Sequence, residues 1–124
     1  MTPSPGGRQP AEHVPKPWGH ETIWARGPGY VGKILFVRAG HALSLQSHRE
    51  KDETIRILSG TLDFEHGPLD GPLETVRLGP GDGWHVTPGM RHRMTAIEDT
   101  HVLEVSTPQL DDVIRYEDRY GRVP

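Results

Sequence analysis

The chain contains no cysteine. Disulfides, zinc ribbons and thiol catalysis are thereby excluded, and the absence suits a cytoplasmic setting. Apolar residues are few, 33% hydrophobic and 6% aromatic. No run approaches the apolar length of a membrane span. The opening MTPSPGGRQPAEHVPKP lacks the apolar stretch of a signal peptide. Blocks of like charge are missing too. The formal net charge is -3, and nothing resembles the basic stripe that a nucleic-acid surface needs.

What the sequence has in quantity is Gly (15), Pro (12) and His (8) among 124 residues. The length suits a single domain. Many turn formers predict short strands rather than long helices. Residues 1–17, rich in Pro, Gly and polar side chains, read as a flexible or extended arm. From Trp18 onward, ETIWA, KILFVRA, LSLQSH, TIRILSG, TLDFEHG, LETVRL, GWHVT, HRMTAI and HVLEVST follow one another. Each is short, rich in β-branched or aromatic residues, and ended by Gly, Pro, Asp or a charge cluster. That pattern predicts an all-β sandwich or barrel over 18–124. The closing LDDVIRYEDRYGRVP supports two readings. DVIRY alternates like a strand, while Asp111 or Asp112 as N-cap and Gly121 as C′ suit a short helix.

Polar residues fall at telling positions. In a strand, residues two apart share a face, so Ser44, Gln46 and His48 should line one side and Leu43, Leu45 and Ser47 the other. A Ser-Gln-His stripe is wrong for a simple core and right for a cavity wall. After the charged turn REKD, Glu53 opens the next strand in the parity of Ile55 and Ile57, and a hairpin folds it back beside His48. A second cluster, GDGWHVTPGMRH at 81–92, puts His92 on one face with Met94 and Ala96. Two imidazoles, a carboxylate and an amide oxygen suit a divalent first-row metal with open positions for water or substrate. Zinc, manganese, iron, cobalt and nickel all accept these donors.

Gly40-x5-Gln46-x-His48-x4-Glu53-x6-Gly60 resembles the first cupin motif, with Gln in place of its first His. Gly81-x5-Thr87-x-Gly89-x2-His92 resembles the second, with Thr where Pro is usual. The resemblance implies a single-domain cupin, a jelly-roll barrel, with a metal held by Gln46, His48, Glu53 and His92. KPWGHE, LSLQSH, LSGTL and DDVIRYEDRYGR are similar to the cupin domain of type II mannose-6-phosphate isomerases. This implies aldose–ketose isomerisation of mannose 6-phosphate and fructose 6-phosphate. It also implies that the C-terminal segment 108–124 packs on the barrel. The chain has no Gly-rich nucleotide loop, so nucleotidyl transfer is not expected.

Isomerisation needs a base within reach of a carbon-bound proton; His85 and Lys33 are the candidates. A phosphate is best held by planar guanidinium donors, for which EDRYGR offers Arg119 and Arg122. Arg91 and Arg93 should face away from His92. The tryptophans could stack on a sugar ring or simply cover the core. Two other functions fit the same fold: a non-catalytic metal cupin that binds a sugar or small acid, and another metal-cupin enzyme such as an oxygenase. The expected partners are a small-molecule substrate and, through exposed sheet edges, a second copy in a homodimer. Neither nucleic acid nor membrane is expected.

Overall fold

The computed structural model describes residues 6–123. The elements are eleven strands: β1 (Glu12–Lys16), β2 (Gly19–Gly27), β3 (Tyr30–Val37), β4 (Leu45–Ser47), β5 (Glu53–Ser59), β6 (Leu62–Gly67), β7 (Glu74–Leu78), β8 (Gly83–Val86), β9 (Arg91–Ala96), β10 (Thr100–Ser106) and β11 (Ile114–Glu117). They form a six-stranded sheet in the order β1-β2-β3-β10-β5-β8 and a five-stranded sheet in the order β11-β4-β9-β6-β7. Among the described residues the strands pair antiparallel throughout. Among the described residues no helix is long and apolar enough to cross a membrane.

The core is what strict alternation produces. In β5, Glu53, Ile55 and Ile57 are buried; in β9, His92, Met94 and Ala96; in β10, Thr100, Val102, Glu104 and Ser106. Leu35, Val37, Ile55, Ile57, Leu62, Phe64, Val86 and Val102 are almost wholly enclosed. Burial of each Leu, Ile, Val or Phe side chain contributes about 1.5–3 kcal/mol. At Gly60 the backbone has φ +89, and an added Cβ would run into the Asp99 carbonyl and Thr100. Only glycine closes that turn without strain.

Two expectations need adjustment. Residues 12–16, within the stretch read as an arm, pair with β2 from Glu12↔Ile23 to Lys16↔Gly19. The strand expected over 43–48 is regular only at 45–47. Alternation therefore does not reach Leu43, which turns inward and joins the core instead of facing away from Gln46. Of the two readings of the C-terminal segment the strand holds, as β11 paired with β4.

Candidate metal centre

Two sheets contribute to one cluster. Glu53 opens β5 in the six-stranded sheet; His48 follows β4, and His92 lies in β9, both in the five-stranded sheet. The tight 48–53 connection folds Glu53 back over His48, as the spacing predicts. Glu53 Oε1 lies 2.9 Å from His48 Nε2 and 3.3 Å from His92 Nε2. One ligand atom from each residue falls within 4.8 Å of the other two. All three residues are buried, at 2%, 5% and 3% exposure for His48, Glu53 and His92. Gln46 stands directly opposite His92 in the β4–β9 pair and lines the same cavity.

The far nitrogen of each imidazole is committed. His48 Nδ1 lies 2.5 Å from the Asp112 carbonyl oxygen, and His92 Nδ1 lies 3.2 Å from that of Met90. A carbonyl can only accept, so each Nδ1 carries the hydrogen. Each Nε2 is then the nitrogen aimed at Glu53. Backbone-oriented imidazoles around a carboxylate are what a bound divalent cation requires. The donor set fits a first-row metal held by His48, Glu53 and His92, with Gln46 beside it.

The electrostatics point the same way. Burial works against charge on Glu53, yet the close imidazoles of His48 and His92 and the nearby Lys51 ammonium hold its carboxyl well below the usual range. Lys51 Nζ lies 3.6 Å from Glu53 Oε2 and 3.3 Å from Glu104 Oε2. Burial, together with the adjacent charge of Glu53, pushes Glu104 up to about 8. Desolvation opposes charge on Lys51, but the carboxylates of Glu104 and Glu53 raise it above its ordinary value.

The cavity around this cluster has a volume of about 370 Å³. Lys33 turns into it and pairs with Glu21 at 3.3 Å. Arg122 also lines it, held by both carboxylate oxygens of Asp118 at 2.8 and 3.0 Å. Two other candidates lie outside the cavity. His85 faces outward, 58% exposed and hydrogen-bonded to Asp52. Its strand neighbours explain this: Trp84 packs on the core and Val86 is fully buried, so the residue between them must point away. Arg119 is exposed, donates to the Gly40 carbonyl and does not line the cavity. Arg91 and Arg93 do face away, bonding the 68–71 loop and Glu65 respectively. Of the tryptophans, Trp18 lines the cavity, Trp84 packs on Phe64 and His66, and Trp24 lies exposed on the outer face.

Other cavity residues escaped the sequence reading. Glu104 was legible from its parity with Thr100 and Val102. Arg115 was legible only once β11 is known to be a strand. Its Nε is buried without a hydrogen-bond partner, and the residue lines the cavity. Lys51 carried no signal, because REKD reads as an exposed charged turn, yet Lys51 is only 4% exposed. Asp112 does not cap a helix. Its carboxylate accepts the backbone N–H groups of Arg49, Glu50 and Lys51 at 2.7–3.0 Å. Those donors, Glu50 foremost, pull it down to about 2.

A family model described as a cupin domain matches residues 34–106. The chain is 30% identical over 114 residues to the xanthan biosynthesis protein XanB of Xanthomonas campestris pv. campestris, covering 88% of this chain and 23% of that protein. It is also 30% identical over 115 residues to a mannose-1-phosphate guanylyltransferase of Escherichia coli, covering 89% and 23%. The chain thus spans about a quarter of the length of these relatives. Among solved structures, KdgF from Halomonas sp. superposes with TM-score 0.70 at 24% identity, over 84% of this chain and 92% of that one. Oxalate decarboxylase from Bacillus subtilis superposes with TM-score 0.76 at 15% identity, over 92% and 32%. At these identities the superpositions show the fold alone.

Proposed function

This chain belongs to the cupin domain family, and from that premise we propose that it is a metal-dependent sugar-phosphate isomerase interconverting mannose 6-phosphate and fructose 6-phosphate. One observation carries the reading. His48, Glu53 and His92 converge in a cavity that also receives the cationic side chains of Lys33, Arg115 and Arg122. Relatives named for xanthan biosynthesis and mannose-1-phosphate guanylyl transfer support a sugar-phosphate substrate.

A divalent cation bound there supplies a Lewis acid for a sugar oxygen. The remaining tasks fall to the chain itself. The shift removes a proton from the carbon beside the carbonyl and returns it to the neighbouring carbon. His85 lies outside the cavity, so the reading assigns proton handling to the Lys33–Glu21 pair, which faces it. The Lys33 ammonium gives a proton to the carbonyl oxygen as the Glu21 carboxylate takes the carbon-bound proton. Glu21 then returns its proton to the neighbouring carbon while Lys33 recovers one from the other hydroxyl. Arg122, fixed by Asp118, and Arg115, with its uncommitted Nε, receive the phosphate. Trp18 and Leu35 supply apolar wall against the sugar carbons.

The test is proton NMR of mannose 6-phosphate in heavy water with zinc-loaded protein. Deuterium at C2, or accumulating fructose 6-phosphate, is the expected result. Bound metal with no exchange, tried also with manganese, iron, cobalt and nickel, would replace this reading with a cupin that binds a sugar or small acid. Oxygen consumption by the iron form would replace it with an oxygenase.

A further inference from the structure

The C-terminal segment approaches the metal cluster through one residue, and that residue makes two kinds of contact. The backbone carbonyl of Asp112 accepts from His48 Nδ1. Its side-chain carboxylate accepts three consecutive backbone N–H groups, from Arg49, Glu50 and Lys51. Those three residues join His48 to Asp52 and Glu53. Asp112 therefore grips the ligand-bearing turn from both sides. The carbonyl cannot drift from His48 while the carboxylate is anchored to the turn.

We propose that Asp112 is a positioning residue for the metal centre, fixing His48 in the Nδ1–H tautomer so that Nε2 faces the metal. The proposal rests on the metal reading of His48, Glu53 and His92. Outer partners of this kind set ring orientation and ligand basicity, and their loss typically weakens metal binding about 10–100-fold. Removing the carboxylate leaves the Asp112 carbonyl chemically present but untethered. The effect thus travels through placement, not through loss of a ligand atom.

The experiment compares wild-type protein with Asp112→Ala, Asp112→Asn and Tyr116→Phe. Tyr116 is a control from the same segment. Its hydroxyl bonds Ser47 at 2.7 Å, so its removal loosens β11 without touching residue 112. Zinc affinity is measured by competition with a chromophoric chelator. The His48 Nδ1–H resonance is followed by nitrogen-edited NMR in metal-free and zinc-loaded protein. In Asp112→Ala the expected results are an affinity loss of about 10–100-fold and exchange broadening of that resonance. Asp112→Asn, which keeps one acceptor oxygen, should fall between Asp112→Ala and wild type and provides the reading if Asp112→Ala does not fold. Tyr116→Phe should keep the resonance sharp and stay within about twofold of wild-type affinity, because residue 112 and its contacts are unchanged. An unshifted affinity and a sharp resonance in the Asp112 variants would overturn the proposal, as would an equal loss in Tyr116→Phe. Failure of wild-type protein to take up zinc at all would instead remove the metal reading beneath it.

Discussion

Gln46 and His92 face each other across the β4–β9 pair. Cross-strand neighbours on one face have Cβ atoms about 4.5–5.5 Å apart. The amide and the imidazole therefore enter the cavity side by side.

This pairing leads to an ordered set of metal affinities. His48→Ala and His92→Ala should each abolish stoichiometric metal uptake, because each removes a nitrogen donor from the cluster. Gln46→Ala removes a neutral oxygen donor and should weaken binding only about tenfold, the low end for loss of a supporting group. Metal content after exhaustive dialysis, with titration of the Gln46 variant, checks the order. Unchanged metal in both His variants would place the metal elsewhere.

Lys51 is the ammonium between two buried carboxylates. Lys51→Met should destabilise the fold by about 3–5 kcal/mol, the usual cost of leaving a buried charge without its partner. Adding Glu104→Gln should recover part of that loss only at pH values above about 8, where Glu104 would otherwise be ionised, and little at neutrality. Chemical denaturation of both single variants and the double variant measures the coupling. Simple additivity in the alkaline range would show that Lys51 and Glu104 act independently.

Orientation separates the two residues that the sequence offered as bases. His85→Ala should leave metal content and any turnover at wild-type levels and shift stability by no more than about 0.5 kcal/mol, as for other surface changes. Lys33→Met should abolish deuterium incorporation into mannose 6-phosphate while leaving zinc affinity intact, because Lys33 bonds Glu21 and no metal ligand. Loss of exchange in His85→Ala would contradict the outward placement of that side chain.

The Asp118–Arg122 contact has a defined pH signature. Hydrogen bonding from Arg122 holds the Asp118 carboxyl below its ordinary value of 3.8. A carboxyl lowered in the folded state binds its proton more readily when unfolded, so its contribution is fully present above about pH 4. It is lost as pH falls through the lowered folded value. The stability difference between wild type and Asp118→Asn should be flat from neutrality to about pH 4 and shrink below it. Urea unfolding at a series of pH values gives that curve.

Much of the cluster was legible because the strands carrying it obey a period of two. Glu53 shares parity with Ile55 and Ile57, and His92 with Met94 and Ala96, so both had to face the interior. The same rule, applied to GWHV between Trp84 and Val86, turns His85 outward. The rule fails where the chain is not extended. Leu43 lies outside the regular part of β4, and Lys51 sits in a turn whose charged composition suggested solvent. Lys51 is buried because Glu104 arrives from β10, a contact between residues fifty-three positions apart that no local pattern encodes. Asp112 shows the same limit. Its neighbours support a helix cap equally well, and only the position of the 49–51 backbone decides where its carboxylate goes.

The division of the cluster between two sheets also bears on how long the folded chain lasts. Glu53 belongs to one sheet, His92 to the other and His48 to the turn just after β4, with His92 far along the chain from both. An ion held by these residues would act as a rivet between the two sheets. Contacts that join distant segments and form late in folding mainly slow unfolding and leave the folding rate little changed. Occupancy of this centre would thus set the lifetime of the barrel, so chelation would open it to proteolysis well before any change in its secondary structure.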